Sequence, residues 1–176
     1  MTFEELVAGR LPAVLRLAAV LTGNRTDAED VVQDVLVRAH RDWAKLSRMD
    51  RPDLYIRKMV VNEFLSSRRR LWRLVPSGSG SEVDDRVTPD YATTHAEREA
   101  LLARLAKLPA RQRAVLVLRY YEGLPDATIA EILGCAPVTV RSCVHRALAR
   151  LRVEMAEPAP LTAIAEERGM TWQEEG

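Results

Sequence analysis

Apolar residues recur every three or four positions through two long stretches of the chain. Over residues 6–21 leucine, valine and alanine follow the spacing of one helix face, and Gly23 with Asn24 predicts the end of that helix. A second helix follows, with Thr26 or Asp27 as its predicted N-cap. A third helix is predicted over about residues 53–70, after Pro52.

The second stretch predicts four more helices. The first lies around residues 95–105, before Leu108-Pro109 breaks the chain, and the next covers about residues 111–121. Two further helices, over about 125–133 and 137–152, flank a turn at Gly134. A short helix, a glycine-containing turn and a longer basic helix together predict a helix-turn-helix.

Glycine, serine and acidic residues separate the two stretches and predict a flexible linker. We therefore predict an all-α protein with two small helical domains. The predicted divisions are a helical bundle at 1–73, a flexible acidic linker at 74–94, a helix-turn-helix domain at 95–153 and an acidic tail at 154–176.

The net charge is only +1, but its distribution is uneven. Residues 1–72 carry 13 basic and 10 acidic side chains, and residues 99–152 carry 9 and 4. The segment between them has 3 basic and 5 acidic side chains, and residues 153–176 have 1 and 6. Two basic blocks separated and followed by acidic segments indicate a nucleic-acid-binding protein.

Several classes of function lack a signal in the sequence. The apolar runs are shorter than the roughly 18 residues of a membrane span, and the N-terminus is acidic, so we predict a cytoplasmic protein without membrane insertion. No catalytic constellation or cofactor motif is visible, which predicts a non-enzyme without a cofactor. Cys135, Cys143 and His145 lack a fourth metal ligand, so reduced structural thiols are the favoured interpretation over a metal site.

The last predicted helix divides its residues between two faces. At 100° per residue, an apolar stripe forms on one side and four side chains able to hydrogen-bond DNA lie on the other, namely Arg141, Ser142, His145 and Arg146. A helix-turn-helix docks the start of its second helix in the major groove. The pattern therefore favours DNA reading over an ordinary solvated basic face.

Two further surfaces are candidates for binding. Arg68, Arg69 and Arg70, with Arg57, Lys58 and Arg73, form a cationic patch able to neutralise phosphates. Tyr55 and Trp72 either stack on unpaired bases there or pack in the core. Asp30, Gln33 and Asp34 form an acidic helix face, which either binds a basic partner or is plain surface.

At these residues the chain resembles the extracytoplasmic-function sigma factors of bacterial RNA polymerase, and most closely an actinobacterial SigE-like group. Residues 26–34 (TDAEDVVQD) resemble region 2.2 of that family, and residues 55–62 (YIRKMVVN) resemble region 2.4. Residues 108–113 (LPARQR) and 139–147 (TVRSCVHRA) resemble region 4. The resemblance covers about residues 3–72 and 96–152, in order.

The resemblance implies an alternative sigma factor that binds core RNA polymerase, recognises −35 DNA and opens the −10 element. Asp30, Gln33 and Asp34 would dock on the β′ clamp helices, and Asn62 would hold an extruded base of the −10 element. The other −10 contacts implied are Tyr55, Arg57, Lys58, Arg68 and Arg69. The −35 contacts implied are Arg119, Thr139, Arg141, Ser142, His145 and Arg146. The β flap and promoter DNA are further implied partners, and an anti-sigma factor is a candidate.

Four positions depart from the family pattern. Tyr55 stands where tryptophan is usual, and Ser66 where aspartate is common. Val138 replaces a usual glycine, and Cys143 replaces a frequent basic residue. Because Val138 and Cys143 lie in the predicted recognition helix, we expect the −35 sequence preference to differ from that of relatives.

Other hypotheses remain open from sequence. A helix-turn-helix regulator would bind operators alone, with residues 1–72 as a dimerisation or sensing domain, and Ser66 leaves open a sigma-like protein that binds polymerase without melting DNA. A helical nuclease would need clustered carboxylates that the sequence lacks. The acidic tail is either a mobile end or, through a short amphipathic helix, an internal brake on a basic face.

Overall fold

The computed structural model describes the backbone of residues 2–74 and 93–156 and the side chains of residues 2–71 and 98–153. All regular secondary structure in these residues is helical, which confirms the predicted all-α class. The helices are α1 (Phe3–Thr22), α2 (Arg25–Arg41), α3 (Trp43–Leu46), α4 (Pro52–Leu74), α5 (Thr93–Ala106), α6 (Ala110–Leu116), α7 (Asp126–Leu133) and α8 (Pro137–Ala156). Residues 75–92 of the predicted linker and 157–176 of the predicted tail lie outside the described residues.

Capping residues set the ends of the first two helices. Thr2 and Glu5 form a capping box at the start of α1, and Gly23 ends it with φ of 89°, a left-handed value that favours glycine. The predicted N-cap of α2 is wrong. Asn24, not Thr26 or Asp27, caps this helix, which has already begun at Arg25. The side-chain oxygen of Asn24 accepts a hydrogen bond from the backbone amide of Asp27 at 2.7 Å.

The first domain packs α1, α2 and α4 around one apolar core. Its fully buried side chains include Leu21, Val35 and Val60 from the predicted apolar stripes, together with Leu17 and Phe64. The helix α3, which the sequence pattern did not predict, adds the buried Leu46. Burial of one stripe of each helix fixes which face of α2 and of α4 meets solvent.

The second domain contains the predicted helix-turn-helix. The helix α6 continues into a π-helical turn, Val117–Tyr121, where one regular α-helix over 111–121 was predicted. Gly134 ends α7 with φ of 60°, and α7 and α8 meet at a bend of 97°. Within the described residues no single helix meets the length and hydropathy of a membrane span, although this bent pair passes that test together.

The two domains pack directly against each other, which no sequence pattern predicted. Helix α4 contacts both α6 and α7, and α1 contacts the π-helical turn. Buried residues of the two domains consequently form one continuous apolar cluster. The guanidinium of Arg113 crosses this boundary and donates to the carbonyl oxygens of Leu21 at 2.9 Å and Thr22 at 3.4 Å.

A buried carboxylate ties α2 to α4. Glu63 accepts from Arg38 of α2 and from Arg70 of α4, the latter at 2.6 Å. Burial alone would raise the pKa of the Glu63 carboxyl, but the hydrogen bonds from Arg70 and Arg38 outweigh it and hold the pKa below its usual value. The pair of arginines thus stabilises the charged form of a carboxylate that solvent barely reaches.

We expect Glu63→Gln to lower the free energy of unfolding by about 1–3 kcal/mol at neutral pH. An amide NH2 replaces one of the two acceptor oxygens and the negative charge between the arginines is lost, although both arginines still reach solvent. The measurement is urea denaturation followed by circular dichroism. Since the native pKa is lowered, the stabilisation is complete above the ordinary carboxyl pKa of about 4.3 and is lost as pH falls through the native value.

The difference in the free energy of unfolding between the parent chain and Glu63→Gln should therefore shrink in acid. Glu29→Gln is the matched control, because Glu29 pairs at 2.7 Å with Arg25 on the exposed surface of α2 and should contribute little. Equal losses in the two variants, or a difference that does not shrink as the pH falls below the ordinary carboxyl pKa, would contradict a buried, pKa-lowered Glu63.

Candidate nucleic-acid interface

Helix α8 presents a polar face to solvent, as its periodicity predicts. Val140, Val144 and Ala147 are buried against the second domain, and the predicted DNA-facing residues are all exposed, namely Thr139, Arg141, Ser142, His145 and Arg146. The Ser142 hydroxyl donates to the Val138 carbonyl at 3.0 Å, and the Arg146 guanidinium donates to the Ser142 carbonyl at 3.3 Å. The structure therefore brings these five side chains together on one accessible surface, the recognition face.

Two departures from the family pattern have different surroundings on this helix. Cys143 is buried, and its thiol approaches the Arg111 carbonyl at 3.9 Å, so it packs α8 against α6. Burial raises the pKa of the Cys143 thiol, although Arg146 and Arg111 act in the opposite direction, and the group is held as a neutral thiol. Val138, in contrast, is 58% exposed at the start of α8. Only Val138 of these two can meet DNA directly.

Arg119 lies outside the recognition face, on the π-helical turn. Its guanidinium pairs with Asp126 in the first turn of α7 at 3.1 Å and lies 5.9 Å from the centre of the Tyr120 ring. The side chain remains partly exposed, so a phosphate could approach it beside Asp126. Its predicted role is thus compatible with this position, at the edge of the helix-turn-helix.

Helix α4 carries the second predicted DNA surface, but its residues are not equally available. Asn62 is exposed at mid-helix, and Arg69 is exposed with a hydrogen bond to the Ser66 hydroxyl at 3.3 Å. Arg68 donates to the Thr22 carbonyl at 3.0 Å and lies 5.9 Å from the centre of the Phe64 ring. These contacts help to pack α4 against α1, so Arg68 is less available to DNA. The side chains of Trp72 and Arg73 lie outside the described residues.

The other end of this surface meets the second domain. Arg57 pairs with Glu122 at 3.0 Å, with side chains 27% and 11% exposed. Tyr55 packs partly buried against the core, and Tyr55 and Lys58 line a crevice of about 260 Å³ opposite Glu131 and Ile132 of α7. The surface formed by Tyr55, Arg57, Lys58, Asn62, Arg68 and Arg69, the α4 face, is therefore covered at one end and open at the other.

The acidic face lies apart from both surfaces. Asp30, Gln33 and Asp34 are exposed on α2, and Val37, one turn further on, is 65% exposed. The opposite side of α2, with Val31, is buried in the first domain. Three polar residues beside an exposed apolar one form a surface suited to a protein partner. This surface is accessible while the two domains pack against each other.

The second domain has an apolar groove that was not predicted from the sequence. An apolar groove of about 340 Å³ lies between α5, α6, the π-helical turn and α8, and Val20 of α1 closes one side. Its lining includes the exposed Leu101, Tyr120 and Tyr121. Adjacent tyrosines after a run of buried residues were the available signal, because an amphipathic helix rarely exposes two large rings without a partner.

The described residues contain no group of three histidine, cysteine, aspartate or glutamate side chains placed to hold a metal. Cys135 and Cys143 are both free thiols. The arrangement offers hydrogen-bond donors, cations and apolar contacts, which are the means of binding nucleic acid and protein.

Two family models match the chain in the order of its two domains. The model described as "Sigma-70 region 2" matches residues 6–74, and the one described as "Sigma-70, region 4" matches residues 98–151. The first covers the acidic face and the α4 face, and the second covers the groove and the recognition face. Together, the two matched regions therefore contain the surfaces described above.

Named relatives match most of the length of the chain. The chain is 36% identical to the RNA polymerase sigma-E factor of Streptomyces avermitilis over 173 residues, covering 96% of this chain and 92% of that protein. It is also 36% identical to the ECF RNA polymerase sigma factor SigL of Mycobacterium tuberculosis over 147 residues, covering 81% and 82% respectively.

Solved structures share the fold. The sigma factor RpoE of Bartonella quintana, in complex with the anti-sigma factor NepR, aligns with a TM-score of 0.65 at 24% identity over 88% of this chain and 98% of that one. CnrH, in complex with the cytosolic domain of CnrY, aligns with a TM-score of 0.59 at 25% identity over 87% and 86%. Both likenesses span the two domains.

Proposed function

The chain belongs to the extracytoplasmic-function sigma factors of the sigma-70 family, and from this membership we propose how its surfaces divide the work of transcription initiation. A sigma factor binds core RNA polymerase and directs it to promoters. The observation that carries the division is that each family match contains an accessible polar surface. The acidic face lies within 6–74, and the recognition face lies within 98–151.

The acidic face is proposed to bind the β′ clamp helices of the polymerase. Asp30, Gln33 and Asp34 supply hydrogen-bond acceptors, and the exposed Val37 beside them supplies an apolar contact. An exposed cluster of this kind can bind a basic partner without any rearrangement of its own helix. These side chains do not contribute to the core of the first domain, so their role is separable from folding.

The α4 face is proposed to take the −10 element. Asn62, exposed at the middle of the helix, is suited to hydrogen-bond an extruded base, and Lys58 and Arg69 lie on the same side of α4 for the backbone. Arg57 is proposed for the backbone from the end of α4 next to the second domain. Capture of a flipped base offsets the cost of unstacking it, so such a surface favours the opened strand over the duplex. Tyr55, partly buried, would present the edge of its ring to this strand.

The recognition face is proposed to read the −35 element. The start of α8, with Thr139, Arg141 and Ser142, is the part that a helix-turn-helix inserts into the major groove. His145 and Arg146, one turn further on, are placed for bases or phosphates, and Arg119 is placed for a phosphate at the edge. Phosphate contacts fix the register, and base contacts give the sequence preference.

Two protein partners are proposed for the second domain. The apolar groove, with its exposed tyrosines, suits an amphipathic segment of the β flap. An anti-sigma factor is the second partner, and CnrH, 25% identical to this chain, is held in complex with the cytosolic domain of CnrY. An anti-sigma factor that occupied the same groove would compete with polymerase.

We further propose that the chain is not an enzyme itself and that it acts in the cytoplasm, where bacterial promoters and polymerase are found. The proposed division of labour follows the boundaries predicted from sequence, with residues 1–73 for polymerase and −10 DNA and residues 95–153 for −35 DNA. Run-off transcription with core polymerase tests the whole scheme. Specific transcripts that depend on this chain support it, whereas tight binding to a two-fold symmetric duplex without polymerase would favour an operator-binding regulator.

We expect the double substitution Asp30→Ala and Gln33→Ala to abolish association with core polymerase while leaving the thermal unfolding curve unchanged, because both side chains are exposed. Association is measured by size-exclusion chromatography with core polymerase. Glu4→Gln, an exposed acidic residue of α1 outside every proposed surface, is the control and should bind like the parent chain. Retention of binding by the double variant would contradict the assignment of the acidic face.

Asn62→Ala should reduce promoter opening much more than duplex binding, because the lost amide acts only on an extruded base. Opening is followed by permanganate reactivity of −10 thymines, and duplex binding by a mobility shift of the holoenzyme. Ser47→Ala, an exposed polar substitution on the same domain, should change neither. Equal losses of binding and opening would argue that Asn62 contacts the closed duplex.

Arg141→Ala should weaken binding of holoenzyme to the −35 element by about 1–3 kcal/mol and relax the preference at one base pair. Arg150→Ala removes the same charge from an exposed position near the other end of α8 and is the matched control. Arg150→Ala should weaken binding less than Arg141→Ala does, and by the same amount for every −35 sequence. The measurement is competition between promoters altered at single −35 positions, and identical profiles for the two variants would contradict base reading by Arg141.

A further inference from the structure

The apolar groove of the second domain has a buried floor and an exposed edge. Leu116 and Val117 are buried beneath it, while Leu101, Tyr120 and Tyr121 remain exposed along its edge. Several large apolar side chains around one opening favour a partner that removes them from water. The groove is therefore suited to an apolar segment.

The groove lies beside the last helix of the domain. Leu148 and Leu151 of α8 line it, and α8 ends a few residues later, at Ala156. The prolines at 158 and 160 cannot continue a regular helix, because proline lacks the N–H donor and its ring clashes with the preceding turn. The sequence therefore predicts that the chain leaves the axis of α8 close to the groove.

The segment after α8 is long enough to return to the groove. The rise along α8 from Leu151 to Ala156 is about 7.5 Å, at about 1.5 Å per residue. The chain from Glu157 to Leu161 can span about 17 Å when it is extended. Leu161 can consequently be placed beside Leu151 without any change in α8.

This segment has an apolar stripe of its own. Leu161, Ile164 and Ala165 are three and four positions apart, so they would share one face of a helix. Arg168 follows on the same side, where its apolar stem can extend the stripe while its charge reaches solvent. The recognition face of α8 is polar and exposed, so the groove is the better match for this stripe.

The distribution of charge favours the same contact. Residues 153–176 have 6 acidic side chains and 1 basic side chain, whereas residues 99–152 have 4 acidic and 9 basic ones. Within the described lining of the groove, the charged residue is Arg98, an exposed cation on α5. The second domain as a whole therefore attracts this acidic segment, and the described lining of the groove does not repel it.

We propose that residues 157–176 fold back and seat Leu161, Ile164 and Ala165 in the apolar groove of the second domain. An attached segment has an effective concentration on the order of millimolar, so even a weak contact keeps the groove mostly filled. The seating does not depend on the proposed function. Its consequence rests on the proposed binding of the β flap, because the segment would have to leave the groove before the flap could bind.

The stripe is tested by substitutions in the full chain. Leu161→Asp with Ile164→Asp, the stripe variant, replaces two of its three apolar residues by charges. Thr162→Asp with Ala163→Asp adds the same charge to the same segment but off the stripe, and it is the matched control.

The groove is tested by substitutions on α5. Leu101→Asp places a charge at the exposed edge of the groove. Ala103→Asp places the same charge at an exposed position of α5 outside the groove lining, and it is the matched control. Because both positions are exposed, both variants should fold, which circular dichroism checks.

The measurement is fluorescence anisotropy with a labelled peptide of residues 157–176, added to each full-length protein. The stripe variant leaves its own groove free. It should therefore bind the peptide about tenfold more tightly than the parent chain does, if the attached segment fills the groove about nine-tenths of the time. The off-stripe control should bind the peptide like the parent chain. Adding Leu101→Asp to the stripe variant should remove the gain, and adding Ala103→Asp should leave it.

Equal binding of the peptide by the parent chain and the stripe variant would overturn the seating. A gain that survived Leu101→Asp would also overturn it. If such a gain were instead lost on adding Arg141→Ala, the segment would lie on the recognition face rather than in the groove.

Titration of core polymerase with the labelled full-length proteins tests the consequence. The stripe variant should bind polymerase more tightly than the parent chain and the off-stripe control, by up to about tenfold. An unchanged affinity would leave the seating standing and overturn the competition with the flap. If none of the proteins bound polymerase, the proposed function would fail, while the peptide result would still decide the seating.

Discussion

A buried guanidinium at the end of α1 determines how the two domains meet. A cation in an apolar setting is costly unless acceptors surround it, and the last carbonyls of a helix are costly unless donors reach them. Arg113 and the carbonyls of Leu21 and Thr22 satisfy each other's requirement. This contact fixes α6 against α4, and that placement brings Glu122 to Arg57 and α7 over the crevice.

Features that depend on a single helix could be predicted from the sequence, and features that depend on two distant segments could not. The exposed positions of Arg141 on α8 and of Asp30 on α2 follow from a repeat of 3.6 residues, because one buried stripe determines the opposite face. The Arg113 contact joins residues 91 and 92 positions apart. No local pattern separates such an arginine from one that binds DNA, and its burial is seen only in the structure.

For the same reason, a count of charged residues overstates the number of cations that are available to DNA. The first domain has more basic than acidic residues, and that excess indicated nucleic acid. Yet Arg38 and Arg70 are occupied by the buried Glu63, and Arg68 donates to a helix carbonyl. The cations left for DNA are fewer than the count suggests. The proposed −10 role therefore rests on the position of Lys58 and Arg69 on the Asn62 side of α4, rather than on the number of cations.

The −35 preference follows from a similar separation of buried and exposed positions. Two departures from the family pattern, at 138 and 143, were expected to alter it together. Cys143 packs against α6 and meets no solvent, so its effect on DNA can act only through the placement of α8. Val138 is exposed beside Thr139, where a branched apolar side chain can meet a thymine methyl group or exclude a polar contact. Any altered preference of this chain should therefore arise at the base pair that the start of α8 approaches.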